Sequence, residues 1–248
     1  MKVADYHRHM AMTTPSPIIL HADPEHERLR SVVIFIILLT VLAGYWLMRW
    51  LFDLAGITSD FIIMFSCFGS LPIGLALAWL IEAGLKRIWH SGNSVTLNAD
   101  GVTLQTIYDD KQTVQWDDTL LATNWCFPLA GYARGGRERR LPRNWVCLSS
   151  QLRQEDQRII VYTYVPARKA AQLTDQVKFN EIKPAEVYNN TLRDRFALPR
   201  RPDIPAKIIS GKDGEFWLAE RRRWKEGVEL TAKDFATYLH YLSANNKG

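Results

Sequence analysis

Two stretches of the chain lack the polar stripe that a helix on the surface of a soluble protein keeps. Ser31 to Met48 reads SVVIFIILLTVLAGYWLM and Phe61 to Ile81 reads FIIMFSCFGSLPIGLALAWLI, with no charged residue in either. As helices rising 1.5 Å per residue they would extend about 27 and 31 Å, close to the ~30 Å hydrocarbon thickness of a bilayer. Each holds eleven Leu, Ile, Val and Phe residues, and each such residue favours insertion by roughly 0.3 to 0.6 kcal/mol at mid-helix. The pattern therefore predicts a membrane α-helical hairpin with spans at about residues 31–52 and 61–85. The first run is too long for a signal-peptide core and is followed by a second span in place of a cleavage site, so both spans are expected to be retained.

Charge at the ends of the runs sets the expected orientation. Arg28, Arg30, Lys86 and Arg87 flank the outer ends, whereas the connecting loop carries Arg49 beside Asp53 and Asp60. By the positive-inside rule both termini are cytoplasmic, in a multi-pass protein of the inner membrane. Tyr45, Trp46 and Trp50, with Trp79 and Trp89, occupy interfacial positions. Ser66, Ser70, Gly74 and Ala78 recur at steps of four and form one small-residue stripe. Such a stripe lets a second helix approach closely, here either Thr40 and Gly44 of the first span or a partner in an oligomer. Pro72 removes a backbone donor and predicts a kink. Glu82 falls at the end of its helix, within reach of Lys86, so it is read as an edge pair and not as a transport site.

Residues 1–30 contain Pro15, Pro17 and Pro24 and read as a mostly irregular tail, with Asp23 as N-cap and Pro24 at the first helical position. From Ser94 the period changes to alternating β-branched and aromatic residues. Strands are expected over 94–98, 102–107, 112–116, 120–127, 144–148 and 158–165, with turns at Ala99-Asp100-Gly101 and Asp109-Asp110-Lys111. Pro166 opens a helical stretch bearing Ala170, Leu173, Val177 and Phe179. Antiparallel strands followed by one helix predict an α+β soluble domain or small barrel.

The runs VTLNADGVTLQT, QTVQWDDTLLAT and RIIVYTYVPARKAAQLTDQV resemble the bacterial pleckstrin-homology-like (PH-like) domains attached to paired membrane spans. Trp116 with Asp117, and Val165 with Pro166, hold the family's Trp-Asp and strand-to-helix places. The likeness covers about residues 94–180, and the insert between Phe127 and Arg143 departs from the compact pattern. It implies an antiparallel PH-like sheet or small barrel closed by a helix.

The expected organisation is a tail (1–30), the hairpin (31–90), the PH-like domain (91–180), and a connector with a C-terminal helical extension (181–248). Pro184, Pro199, Pro202 and Pro205 suggest an extended connector. Lys212-Asp213-Gly214 is read either as the turn of a small hairpin or as the lead into a helix over 215–224. Thr231 is the expected N-cap of a last helix with Phe235, Tyr238, Leu239 and Leu242 on one face.

Candidate chemistry adds little. No nucleophile elbow, phosphate-binding glycine loop, dinucleotide fingerprint or H-E-x-x-H motif occurs, so no catalytic residue is assigned and the chain is read as a non-enzyme. His7, His9, His21 and His26 lack carboxylate or Cys partners at ligand spacing, and no metal or cofactor is expected. Cys67, Cys126 and Cys147 form no C-x-x-C pair and read as buried thiols. The net charge is +5, but it is spread thinly, which argues against nucleic acid as a partner.

Two local clusters stand out: Arg134, Arg137, Arg139, Arg140 and Arg143 in one loop, and Arg221, Arg222 and Arg223 around Trp224. Near an anionic leaflet each basic residue gains about 1 kcal/mol. The expected partners are therefore the bilayer, anionic lipid headgroups, and a protein partner or second copy. The expected role is a membrane-anchored, non-enzymatic binding or scaffold protein, with a membrane-complex subunit or immunity-type membrane protein acting through its spans as the alternative and a membrane-bound enzyme as the third reading.

Overall fold

The computed structural model describes residues 16–57, 61–108, 110–117, 119–130, 141–175, 177–187 and 203–245. The chain opens with a short strand β1 (Ile18–His21), followed by helices α1 (Glu27–Leu54) and α2 (Ile62–Ile88). Strands β2 (Ser94–Leu97), β3 (Gly101–Gln105), β4 (Lys111–Gln115), β5 (Leu121–Pro128), β6 (Trp145–Gln154) and β7 (Gln157–Pro166) come next. Then come α3 (Ala167–Thr174), β8 (Asn180–Glu181), α4 (Ala206–Ile209), α5 (Gly214–Glu226), β9 (Val228–Glu229) and α6 (Ala232–Asn245).

Strands β1 to β4 form one antiparallel sheet in chain order. The helical hairpin is thus inserted between two neighbouring strands, because β1 pairs with β2 from Ile18↔Leu97 to His21↔Ser94. The segment expected to be an irregular tail contributes an edge strand whose partner lies beyond both helices. Asp23 does not cap α1. Its oxygens are taken by the Glu229 amide at 2.9 Å and the Asn93 side chain at 2.6 Å. The cap falls to His26, whose Nδ1 accepts from the Leu29 amide at 3.1 Å.

The second sheet has the order β8-β5-β6-β7-β9, antiparallel through β5, β6 and β7 and parallel at both outer pairs. The two sheets do not close into the small barrel that was expected, since β8 and β9 occupy the edges of the second sheet. Its central strands are buried on both faces, which suits an interior sheet covered on both sides. On one face Leu148, Leu152, Ile159 and Val161 join Val95, Leu97, Val102 and Leu104 of the first sheet and Phe235, Leu239 and Leu242 of α6. On the other, Trp125, Phe127, Cys147, Ile160 and Tyr164 meet Trp217 and Ala219 of α5. The described residues of α5 and α6 therefore contribute to both cores.

Local chemistry explains most of the elements. Gly101 lets β3 close on β4, because an added Cβ would overlap the Val114 carbonyl. Trp116 fastens the β2–β3 turn by donating from Nε1 to the Asn98 carbonyl at 3.1 Å. Asp117 accepts from the Thr119 amide at 2.9 Å and from Gln154 Nε2 at 2.6 Å, tying the first sheet to the β6–β7 turn. Both motif residues thus have structural tasks. The helix that begins after Pro166 ends at Thr174, short of Val177 and Phe179, which instead pack as loop residues against the first core. Thr231 does start α6, accepting from the Asp234 amide at 3.2 Å, and its four expected apolar residues are buried.

Candidate functional site

The best-defined site is the junction between the helical hairpin and the sheets. The helices hold 28 and 27 residues, giving lengths of about 42 and 40 Å at 1.5 Å per residue. Both are long and apolar enough to cross a membrane, and only 11% and 22% of their most apolar windows are buried. Ile34, Phe35, Leu38 and Leu39 of α1, with Phe65, Phe68 and Trp79 of α2, stand outward. A helix in the core of a soluble protein would hide such side chains.

The inward side of the hairpin is made of the small residues. Ser66, Ser70, Gly74 and Ala78 are buried on α2. A Cβ on Gly74 would stand 2.8 Å from Val41 Cα, and one on Gly44 would stand 3.3 Å from the Ser70 carbonyl oxygen. Thr40 and Ser70 satisfy their hydroxyls within their own helices, on the carbonyls of Ile36 and Cys67 at 2.8 Å. The stripe is used to close the hairpin on itself. α2 runs unbroken through Pro72.

Where the helices meet the sheets, the two connecting segments are laced together. The Ala22 amide donates to the Asn93 carbonyl at 2.9 Å and Ser91 Oγ to the Ala22 carbonyl at 2.6 Å. Asp23, held at φ 52°, binds Asn93 and the β9 backbone together. Burial pushes its carboxyl above the usual range, against the lowering effect of its hydrogen bonds to Glu229 and Asn93. Asn93 Oδ1 in turn accepts from the Ile107 amide at 2.9 Å, which pins the β3–β4 turn to the same junction. Gly92, at φ +92°, is needed there because a Cβ would lie 2.7 Å from Ile107 Cγ1. Beside it Tyr108 is 85% exposed. Lys86 at the end of α2 bridges Glu82 at 2.9 Å and Glu25 at 3.1 Å, so the expected edge pair forms and gains a second carboxylate from the α1 side. The rings of His21 and His90 stack with centroids 3.9 Å apart.

The arginine clusters are divided by the fold. Arg134, Arg137, Arg139 and Arg140 lie outside the described residues, and Arg143 is exposed just before β6. Arg221 is exposed and pairs loosely with Asp203 at 3.9 Å, whereas Arg222 is half-buried. Arg223 departs from the surface reading altogether. It is 1% exposed, as is Glu220. The two form a bidentate pair with both contacts at 2.8 Å. The guanidinium lies 4.5 Å from the Tyr162 ring centroid and donates to Tyr164 OH at 3.3 Å, while Trp125 Nε1 donates to Glu220 at 3.0 Å. The reason is helical phase: Trp217, Glu220 and Arg223 recur at steps of three and share the face that α5 turns inward. A carboxylate three residues before one of three arginines was the signal for this pair in the sequence.

Among the described residues no group of three or more His, Cys, Asp or Glu side chains could hold a metal. Cys126 and Cys147 sit on the neighbouring strands β5 and β6 and are free thiols; of the three cysteines expected to be buried only Cys147 is, since Cys126 is half-buried and Cys67 stands on the outward side of α2. Burial and the Glu181 charge push the Cys126 thiol up to about 11, which keeps it protonated and unreactive.

The architecture so defined is an α-helical hairpin inserted into an α+β domain of two sheets. Compared with protein-family models, curated proteins and solved structures, the chain matches none.

Proposed function

We propose that the protein is a non-enzymatic, membrane-anchored binding or scaffold protein. Its α1–α2 hairpin spans the inner membrane of a bacterial cell, and its α+β domain stands on the cytoplasmic face. The observation that carries this reading is the insertion of two outward-facing apolar helices between the paired strands β1 and β2. Two crossings that begin and end in adjacent strands must return to the same side. The Asp23, Asn93 and Ser91 bonds then hold the domain to the bilayer surface without a loose linker. Ile107 and Tyr108 project beside that junction, where an amphipathic ring suits the headgroup layer.

A domain fixed in this way presents its arginines to anionic headgroups or to a protein partner at a constant height. The PH-like resemblance fits such a role. The alternative of a complex subunit that contacts its partner through the small-residue stripe has less support, because α1 already fills that stripe.

Orientation and insertion are tested together by thiol labelling in a background with Cys67, Cys126 and Cys147 replaced. Ile57→Cys, in the loop between the helices, should react with a membrane-impermeant reagent in intact cells. His240→Cys on α6 should react only after permeabilisation. Release of the full chain from membranes by alkaline carbonate would overturn the anchor, and the reverse labelling pattern would overturn the sidedness.

A further inference from the structure

The face of the second sheet that α5 covers carries Cys147, Ile160 and Tyr164 in its core. Along β6 and β7 that face continues through Gln151 to the cross-strand pair Arg153↔Arg158, next to the hairpin turn. Like charges placed directly opposite on an antiparallel pair destabilise it. Here a third arginine, Arg222 of α5, adds to them. Burial, followed by the positive charges of Arg158 and Arg153, draws the Arg222 guanidinium below its usual range, against weaker opposing effects of Glu226 and Glu215.

None of the three arginines forms an ion pair among the described residues. Arg158 Nε is buried without a hydrogen-bond partner, and so is the Oε1 atom of Gln151, a residue only 2% exposed. The contrast lies one residue along the same helix: Arg223 is in direct contact with a carboxylate, whereas Arg222 feels Glu226 and Glu215 only at longer range and forms no ion pair among the described residues. One sheet face thus carries a buried donor, Arg158 Nε, and a buried acceptor, Gln151 Oε1, both without partners, together with the exposed Arg153 and the electrostatically linked, half-buried Arg222, a set that complements an anion bearing a hydroxyl donor.

We propose that Arg153, Arg158, Arg222 and Gln151 form a binding site for a phosphate ester with a neighbouring hydroxyl group, the chemistry shared by a glycerophospholipid headgroup and a soluble glycerol phosphate. The guanidinium forks match phosphate oxygens. The Gln151 carbonyl accepts the hydroxyl hydrogen that the arginines cannot accept. The site is built wholly within the sheet and α5, so binding of the soluble ester does not depend on the proposed membrane anchoring, whereas binding of the headgroup rests on it.

The test uses the full chain in phosphatidylcholine nanodiscs, titrated with sn-glycerol 3-phosphate while thermal unfolding is followed, and a second preparation in nanodiscs containing phosphatidylglycerol. Wild type should show a raised unfolding midpoint in at least one arm. A response to the soluble ester identifies a soluble ligand, and a response confined to phosphatidylglycerol discs identifies the headgroup. Arg158→Gln and Arg222→Gln should weaken the apparent affinity at least about tenfold, on the order expected for one lost charged hydrogen bond. Without ligand the same variants should be as stable as wild type or more so, because repulsion is relieved. No response in either arm, or one that both variants retain in full, overturns the site.

Discussion

Asp23 does more at the junction than its place before a helix suggests. Its carboxylate holds the Glu229 amide and the Asn93 side chain, three segments far apart in sequence. Asp23→Ala should lower stability by about 2 kcal/mol, the worth of two hydrogen bonds to a charged group less the cost of burying it. Because burial raises this carboxyl's pKa, the folded state binds the proton more tightly than the unfolded chain. Stability from this group is greatest when it is protonated and falls as pH rises through the folded value. The advantage of wild type over Asp23→Ala should therefore grow as pH is lowered from about 7 toward about 4, read by denaturant unfolding of the full chain in detergent. The Glu220–Arg223 pair follows a different rule. Glu220→Gln leaves a buried guanidinium short of its charge partner and should cost about 3 to 5 kcal/mol. The double replacement Glu220→Leu with Arg223→Met should cost less than the single one, and a double-mutant cycle measures the difference.

At the scale of elements, the helices and most strands follow from local pattern. The α2 stripe at steps of four packs as its spacing implies. Gly74→Ala should destabilise the hairpin by about 1 to 3 kcal/mol, as overpacking does. Gly84→Ala, where an added Cβ meets nothing within 4 Å, should stay within about 0.5 kcal/mol of wild type. Thermal unfolding in detergent compares the two. The Pro166 helix start and the Thr231 cap were equally readable, because each depends on residues within one turn. Strand β6 was not fully readable: Ser149, Ser150 and Gln151 look like a loop, yet they continue the strand to Gln154. Among the described residues the Ser150 hydroxyl finds its partner in Tyr238 OH of α6 at 3.0 Å, 88 positions away. β1 has no local signature for the same reason, since its four residues pair with β2 across the hairpin.

At the scale of the whole molecule, segments from both sides of the hairpin and from the C-terminal part share the two sheets and their cores. β1 completes the first sheet, β8 and β9 take the edges of the second, and α5 and α6 cover its two faces. Under the proposed membrane anchoring, the height and tilt of the domain would depend on the junction bonds, and Asp23→Ala would perturb the mounting as well as stability. By itself the sequence determined what short-range physics governs: two apolar helices of spanning length, the small stripe between them, the alternating strands and the caps. Only the tertiary structure decided which arginine is buried, that the strands form two open sheets, and that both flanks of the hairpin share one sheet. Those outcomes rest on contacts between residues distant in the chain, where hydrogen-bond satisfaction and burial are settled by partners that no local pattern names.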